Sequence, residues 1–125
     1  MPESDAPIRV LVVDDHPLMR SGIVAVVDRE ADMTVVGEVD DGESALACYA
    51  ELRPDITLMD LQMPGIGGVE TIARLRRLHA DAAIVVLTTY KGDVQALKAI
   101  RAGAGGYLLK SAVRTQLVDT IRSVR

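Results

Sequence analysis

The feature that most constrains this chain is an alternation. Five short runs rich in β-branched and apolar residues (8–13, 33–39, 55–60, 82–88 and 106–109) are each followed by a stretch of helical periodicity (17–29, 42–52, 68–78, 93–102 and 112–124). Strand–helix–strand units cross over with one hand and lay their strands side by side in parallel. The pattern therefore predicts an α/β fold, a parallel sheet with helices on both faces. The runs at 8–13, 55–60 and 82–88 are almost continuously apolar, as central strands covered on both sides must be. In the last helix Val113, Leu117, Ile121 and Val124 share one face, and Arg114, Asp119 and Arg122 lie away from it. The punctuation agrees. Pro17 falls at a first-turn position, Pro54 stops the second helix, and Gly103 follows the fourth helix as a C-cap.

A length of 125 residues suits one domain. With three Tyr, no Phe and no Trp, the core must be built from Val, Leu, Ile, Ala and Met. The net charge of −4 argues against direct binding to nucleic acid, and Arg74, Arg76 and Arg77 read as a solvated helix face. The single cysteine, Cys48, excludes an internal disulfide, suits a reducing cytoplasm and reads as a small buried hydrophobe. The N-terminal MPESDAP lacks the charged-then-apolar layout of a signal peptide. No apolar run approaches the ~18 residues of a membrane span. The chain is expected to be cytoplasmic, without membrane contact.

In an open parallel sheet the functional site lies beyond the carboxyl ends of the strands. The first strand here leads into Asp14 and Asp15, the third ends in Asp60, the fourth in Thr88 and Thr89, and the fifth leads into Lys110. Alone, each has an ordinary explanation: an Asp as a helix cap, a Thr in a strand, an exposed Lys. Their joint arrival at one sheet edge carries the weight. Three carboxylates in one pocket repel one another unless a cation sits among them. Oxygen donors alone point to Mg²⁺, with Mn²⁺ as a substitute. Such a site suits phosphoryl transfer, which needs positioning and charge neutralisation more than covalent machinery. A carboxylate can itself be the nucleophile and form an acyl phosphate. Lys110 would neutralise the phosphoryl oxygens, and the Thr88 hydroxyl would hydrogen-bond one of them.

The segments VLVVDDHPLMRSGI, PDITLMDLQMPGIGGVE, VLTTY and AGAGGYLLK resemble the receiver domains of two-component response regulators. DDHPLMRSGI and GYLLKS are most similar to the NarL/FixJ (LuxR-type) subfamily. The resemblance implies a flavodoxin-like, CheY-like (βα)5 fold with strand order 2-1-3-4-5. It implies Asp60 as phosphoacceptor and Lys110 as the lysine that pairs with the phosphoryl group. For Mg²⁺ it implies Asp15 as a direct ligand, Asp14 acting mainly through water, and the backbone carbonyl of Gln62. Thr88 becomes the switch hydroxyl and Tyr107 the aromatic switch, although a partly buried, packed ring is the plainer reading of Tyr107. The implied partners are a sensor histidine kinase, a second copy on phosphorylation, and a C-terminal helix-turn-helix output domain. That output domain is absent from these residues, and DNA would be reached only through it.

Some positions depart from the pattern. Gly67 stands where the subfamily often has Asp or Ser, and is expected as an inexpensive cap of the third helix. Ser111 replaces a frequent Pro. A dimer could use helices one and five, with Val24, Val27 and Leu117 as candidates, or the face of helices four and five. His16 and His79 read as surface residues. Two other functions compete. A Mg²⁺-dependent aspartyl-nucleophile phosphohydrolase would need a general acid two residues after Asp60, where Gln62 stands. A flavin module would need a Ser/Thr/Gly phosphate loop where DDHP stands. A receiver acting alone through protein contacts also remains open. On the receiver reading the chain is not an enzyme beyond turning over its own phosphoryl group.

Overall fold

The computed structural model describes residues 6–90 and 92–124; the signal-peptide reading of the N-terminus falls mostly outside them. The elements run β1 (Ile8–Val13), α1 (Pro17–Asp28), β2 (Met33–Val39), α2 (Gly42–Leu52), β3 (Ile56–Asp60), α3 (Gly67–Leu78), β4 (Ile84–Thr88), α4 (Val94–Ala102), β5 (Gly106–Leu109) and α5 (Val113–Val124). A single 3₁₀ turn, Lys110–Ala112, joins β5 to α5. Every expected strand and helix is present, with ends displaced by one or two residues. At β4 the displacement has a cause. Ala82 closes a turn onto the His79 carbonyl, and Ala83 still accepts from the Thr57 amide before the strand proper starts.

The sheet is parallel in the order β2-β1-β3-β4-β5. Strand side chains alternate between two apolar layers. Val10, Val12, Ile56, Leu58, Val85 and Leu87 pack under α1 and α5. Leu11, Val13, Met59, Ile84 and Val86 pack under α2, α3 and α4. Both layers are aliphatic, apart from Tyr49. Strand order reverses between β1 and β3, so a crevice opens where these two strands end. Asp14 and Asp60 stand there.

Local chemistry explains the connections. Asp41 caps α2, its Oδ1 accepting from the Ser44 amide at 2.7 Å. Arg53 ends that helix in the left-handed region at φ 49°, ahead of Pro54. The cap of α3 is Ile66, not Gly67 as expected; Gly67 is the first helix residue and at φ 78° adopts a conformation that L side chains avoid. Gly68 is buried against the end of β3. A Cβ there would lie 2.7 Å from both the Asp60 carbonyl oxygen and the Leu61 Cα, backbone atoms that cannot step aside. Gly68→Ala is expected to destabilise the fold by about 1–3 kcal/mol, read as a lower midpoint in urea unfolding.

Several surface readings need correction. Arg74 and Arg77 are exposed, and Arg74 pairs with Glu70 at 2.9 Å. Arg76 is partly buried and closes the α3–β4 connection by donating to the Ala82 carbonyl at 3.0 Å. His79 is also partly buried, its ring centroid 4.5 Å from that of Tyr49. Cys48 is only half-buried; burial first, then the charge of Glu51, pushes its thiol up. Val27 and Leu117 lie fully inside the α1/α5 layer, so neither is available to a dimer.

Candidate functional site

Asp60 is the last residue of β3 and is 1% exposed. Its Oδ1 accepts from Lys110 Nζ at 3.1 Å and from the Gln62 amide at 3.2 Å. Its Oδ2 has no hydrogen-bond partner. Burial pushes the Asp60 carboxyl above the ordinary carboxylate range; the bonds from Lys110 and the Gln62 amide oppose that, and the charge of Asp14 adds to it. The lysine arrives from the far side of the sheet. β5 ends at Leu109, and the 3₁₀ turn holds Lys110 over the ends of β3 and β4.

Asp14 is fully buried just beyond β1. Its amide donates to the Val39 carbonyl at 3.0 Å, which extends the β1–β2 ladder by one step. Its Oδ1 accepts from the His16 amide at 2.8 Å, and its Oδ2 is unpartnered. Asp15 is partly exposed, and its buried Oδ1 is likewise without a hydrogen bond. Asp14, Asp15, His16 and Asp60 each offer one ligand atom, all within 4.8 Å of one another. Three buried carboxylate oxygens without a hydrogen bond, Asp14 Oδ2, Asp15 Oδ1 and Asp60 Oδ2, would be costly to keep dehydrated. One divalent cation set among them would satisfy Asp14 Oδ2 and Asp15 Oδ1 and offset the charge of Asp60, so the residues present fit such an ion.

His16 is exposed, as expected of a loop residue, but it also reaches the carboxylates. Its ring is mostly exposed, yet Nδ1 lies 3.0 Å from Asp15 Oδ1, 3.2 Å from Asp14 Oδ1 and 3.5 Å from Asp60 Oδ2. The local signal was the Asp14-x-His16 spacing. An Asp that accepts from the amide two residues on folds the chain back over its own carboxylate.

Thr88 ends β4 at the same edge and is buried, but its hydroxyl does not reach Asp60. Oγ1 donates to Asp93 Oδ2 at 2.9 Å. Tyr107, in β5, is 46% exposed and lines an apolar cavity of about 150 Å³ with Gly92, Asp93, Ala96, Leu97 and Ile100. Its ring is on the outside, more exposed than the partly buried, packed ring of the plainer reading. Gln62 is exposed and is tied to the site through its backbone amide.

The raised Asp60 carboxyl has a consequence for stability. The folded state binds that proton more tightly than the unfolded chain. The associated stability is full below the ordinary carboxylate value and is lost as pH rises through the raised one. Asp60→Asn cannot ionise and leaves a carbonyl for Lys110. In chelator-treated protein at neutral pH it is expected to raise the thermal midpoint by roughly 4 °C, the shift that about 1 kcal/mol produces in a domain of this size. A midpoint at or below that of the wild type would contradict this reading of the site.

A family model described as the response regulator receiver domain matches residues 10–122. The response regulator GacA of Pseudomonas viridiflava is 44% identical over 117 residues, covering 94% of this chain and 55% of GacA. The nitrate/nitrite response regulator protein NarL of Escherichia coli (strain K12) is 39% identical over 115 residues, covering 92% of this chain and 53% of NarL. The chain thus spans about half the length of these relatives. Among solved structures, a LuxR-family two-component response regulator from Aurantimonas sp. SI85-9A1 superposes with a TM-score of 0.90 at 39% identity, covering 95% of this chain and 85% of that one.

Proposed function

The chain belongs to the response regulator receiver domain family, similar to its NarL and LuxR-type members, and from that premise we propose that Asp60 accepts a phosphoryl group from a phosphohistidine on a sensor histidine kinase. The observation that carries this reading is the division of labour on one buried carboxylate. Oδ1 is held by Lys110 and the Gln62 amide, while Oδ2 makes no hydrogen bond and has only the His16 ring nitrogen near it, at 3.5 Å. Oδ2 is therefore the nucleophilic atom. The Oδ2–P bond forms as the N–P bond to the donor imidazole breaks, and the imidazole leaves with its electron pair.

Lys110 fixes the carboxylate and places a positive charge beside the arriving phosphoryl oxygens. Asp14, Asp15, Asp60 and the Gln62 backbone carbonyl would hold Mg²⁺, or Mn²⁺ in its place. The bound ion supplies charge neutralisation for the carboxylates and the phosphoryl group. The acyl phosphate adds about −1.5 to −2 charges. Thr88 turns to donate to one of the new oxygens, and Tyr107 moves into the space it leaves. The face of α4, β5 and α5 is thereby biased between two states.

The output on this reading is dimerisation, or control of a C-terminal helix-turn-helix domain through which DNA is bound and transcription regulated. Among the described residues no helix is long and apolar enough to cross a membrane, in keeping with a cytoplasmic switch. A signalling receiver labels once, whereas a phosphohydrolase turns over. With acetyl phosphate and Mg²⁺, one phosphoryl group per chain and only slow phosphate release are expected. Rapid, sustained hydrolysis of phosphate esters would favour the enzyme instead.

A further inference from the structure

Asp93 does two things at once. Its Oδ1 accepts from the Gln95 amide at 2.8 Å, which caps α4. Its Oδ2 accepts from Thr88 Oγ1 at 2.9 Å, which ties that helix cap to the end of β4. Capping needs only the first oxygen. The second bond draws in a buried hydroxyl that, on the phosphoacceptor reading above, must serve the phosphoryl group at Asp60. A hydroxyl has one proton, so Thr88 cannot donate to Asp93 and to a phosphoryl oxygen together. The carboxylate is a charge-assisted acceptor and holds that proton more firmly than a neutral group would.

We infer that Asp93 is a positioning residue that latches the resting state: it holds the Thr88 hydroxyl at the N-terminus of α4 and away from Asp60, and phosphorylation must break this bond. Release frees one Asp93 oxygen at the head of α4. Asp93 also borders the apolar cavity beside Tyr107. Breaking the bond therefore loosens the join between β4 and α4 where the ring has to move, and the state of Asp60 is transmitted to that helix through a single hydrogen bond.

Asp93→Ser separates the two roles. Ser caps as well as Asp, but its side chain is one bond shorter and has no second oxygen in the place of Oδ2, so an oxygen seated on the Gln95 amide does not extend to Thr88. Asp93→Asn is a second variant, keeping the capping oxygen while losing the charged acceptor. Three quantities are read: the Thr88 side-chain rotamer from vicinal couplings in NMR with no phosphoryl donor present, the rate of labelling by acetyl phosphate with Mg²⁺, and the thermal midpoint. The latch predicts one Thr88 rotamer in the wild type and averaging in Asp93→Ser; in Asp93→Asn the side-chain NH2 can donate to the Thr88 oxygen, so only the hydroxyl proton is released. It also predicts labelling roughly tenfold faster, from the bond to a charged acceptor that is lost, with the midpoint of Asp93→Ser near that of the wild type. In a Thr88→Ala background the gain in rate should vanish.

An averaged Thr88 in the wild type, or a fixed one in Asp93→Ser, overturns the latch. So does a labelling rate that is unchanged, or a gain that persists without Thr88. If the wild type takes up no phosphoryl group at all, the acceptor reading of Asp60 fails, and the rotamer measurement still decides the latch.

Discussion

Lys110→Ala is expected to slow phosphoryl uptake from acetyl phosphate by about 10²–10³-fold, the loss that removing one preorganised electrostatic contact produces in other transfer sites. The geometry gives the reason. Nζ sits 3.1 Å from Asp60 Oδ1 on a side chain only 18% exposed, so its charge acts in a partly dehydrated pocket. There are two consequences. The developing charge on the phosphoryl oxygens loses its counter-charge from the protein. The Asp60 carboxyl, already pushed up by burial, loses the largest influence holding it down. The nucleophile is then less ionised at a given pH, and the labelling profile shifts to higher pH. Time courses by intact mass across pH, with a thermal melt to establish folding, read both effects. Labelling within threefold of wild type by a folded Lys110→Ala chain would remove the lysine from the proposed chemistry.

The second large effect concerns the cation. Asp15→Asn is expected to weaken Mg²⁺ binding by about a hundredfold. One of three converging charges is removed, and the relief of repulsion among the remaining two offsets part of the loss. Asp15 is a cleaner position than Asp14, because Asp14 also organises the β1–α1 turn through its bond from the His16 amide. Titration followed by thermal stabilisation reads the affinity without any phosphoryl donor. In the wild type, Mg²⁺ should raise the midpoint and a chelator should abolish labelling. Equal Mg²⁺ stabilisation of Asp15→Asn and wild type would take Asp15 out of the ligand set.

The fold was legible because the strands are rich in apolar and β-branched residues, almost without interruption at 8–13, 55–60 and 82–88, and breakers such as Pro54 and Gly103 separate elements. The acid cluster and Lys110 were legible because a parallel sheet delivers strand-end residues to a single edge. What escaped depends on side-chain geometry that a linear pattern does not carry. His16 reads as a loop residue until the Asx turn at Asp14 folds it over the carboxylates. Thr88 reads as a hydroxyl that moves toward a phosphoryl group, but nothing in the linear pattern shows that Asp93 holds it at rest. Arg76 and His79 lie at the end of an amphipathic helix, where periodicity cannot tell that Arg76 reaches the Ala82 carbonyl of the α3–β4 connection and His79 meets Tyr49 of α2. Gly67 looks like an inexpensive cap until its positive φ shows why glycine is held there.

The central claim is that Asp60 is the phosphoacceptor, and intact mass spectrometry after incubation with acetyl phosphate and Mg²⁺ tests it most directly. The wild type should gain one phosphoryl group, and the adduct should be hydroxylamine-labile, as an acyl phosphate is. Asp60→Asn, folded and at least as stable without metal, should gain none. Undiminished labelling of Asp60→Asn, or a wild type that remains unlabelled with both acetyl phosphate and a phosphorylated histidine kinase as donor, would contradict it.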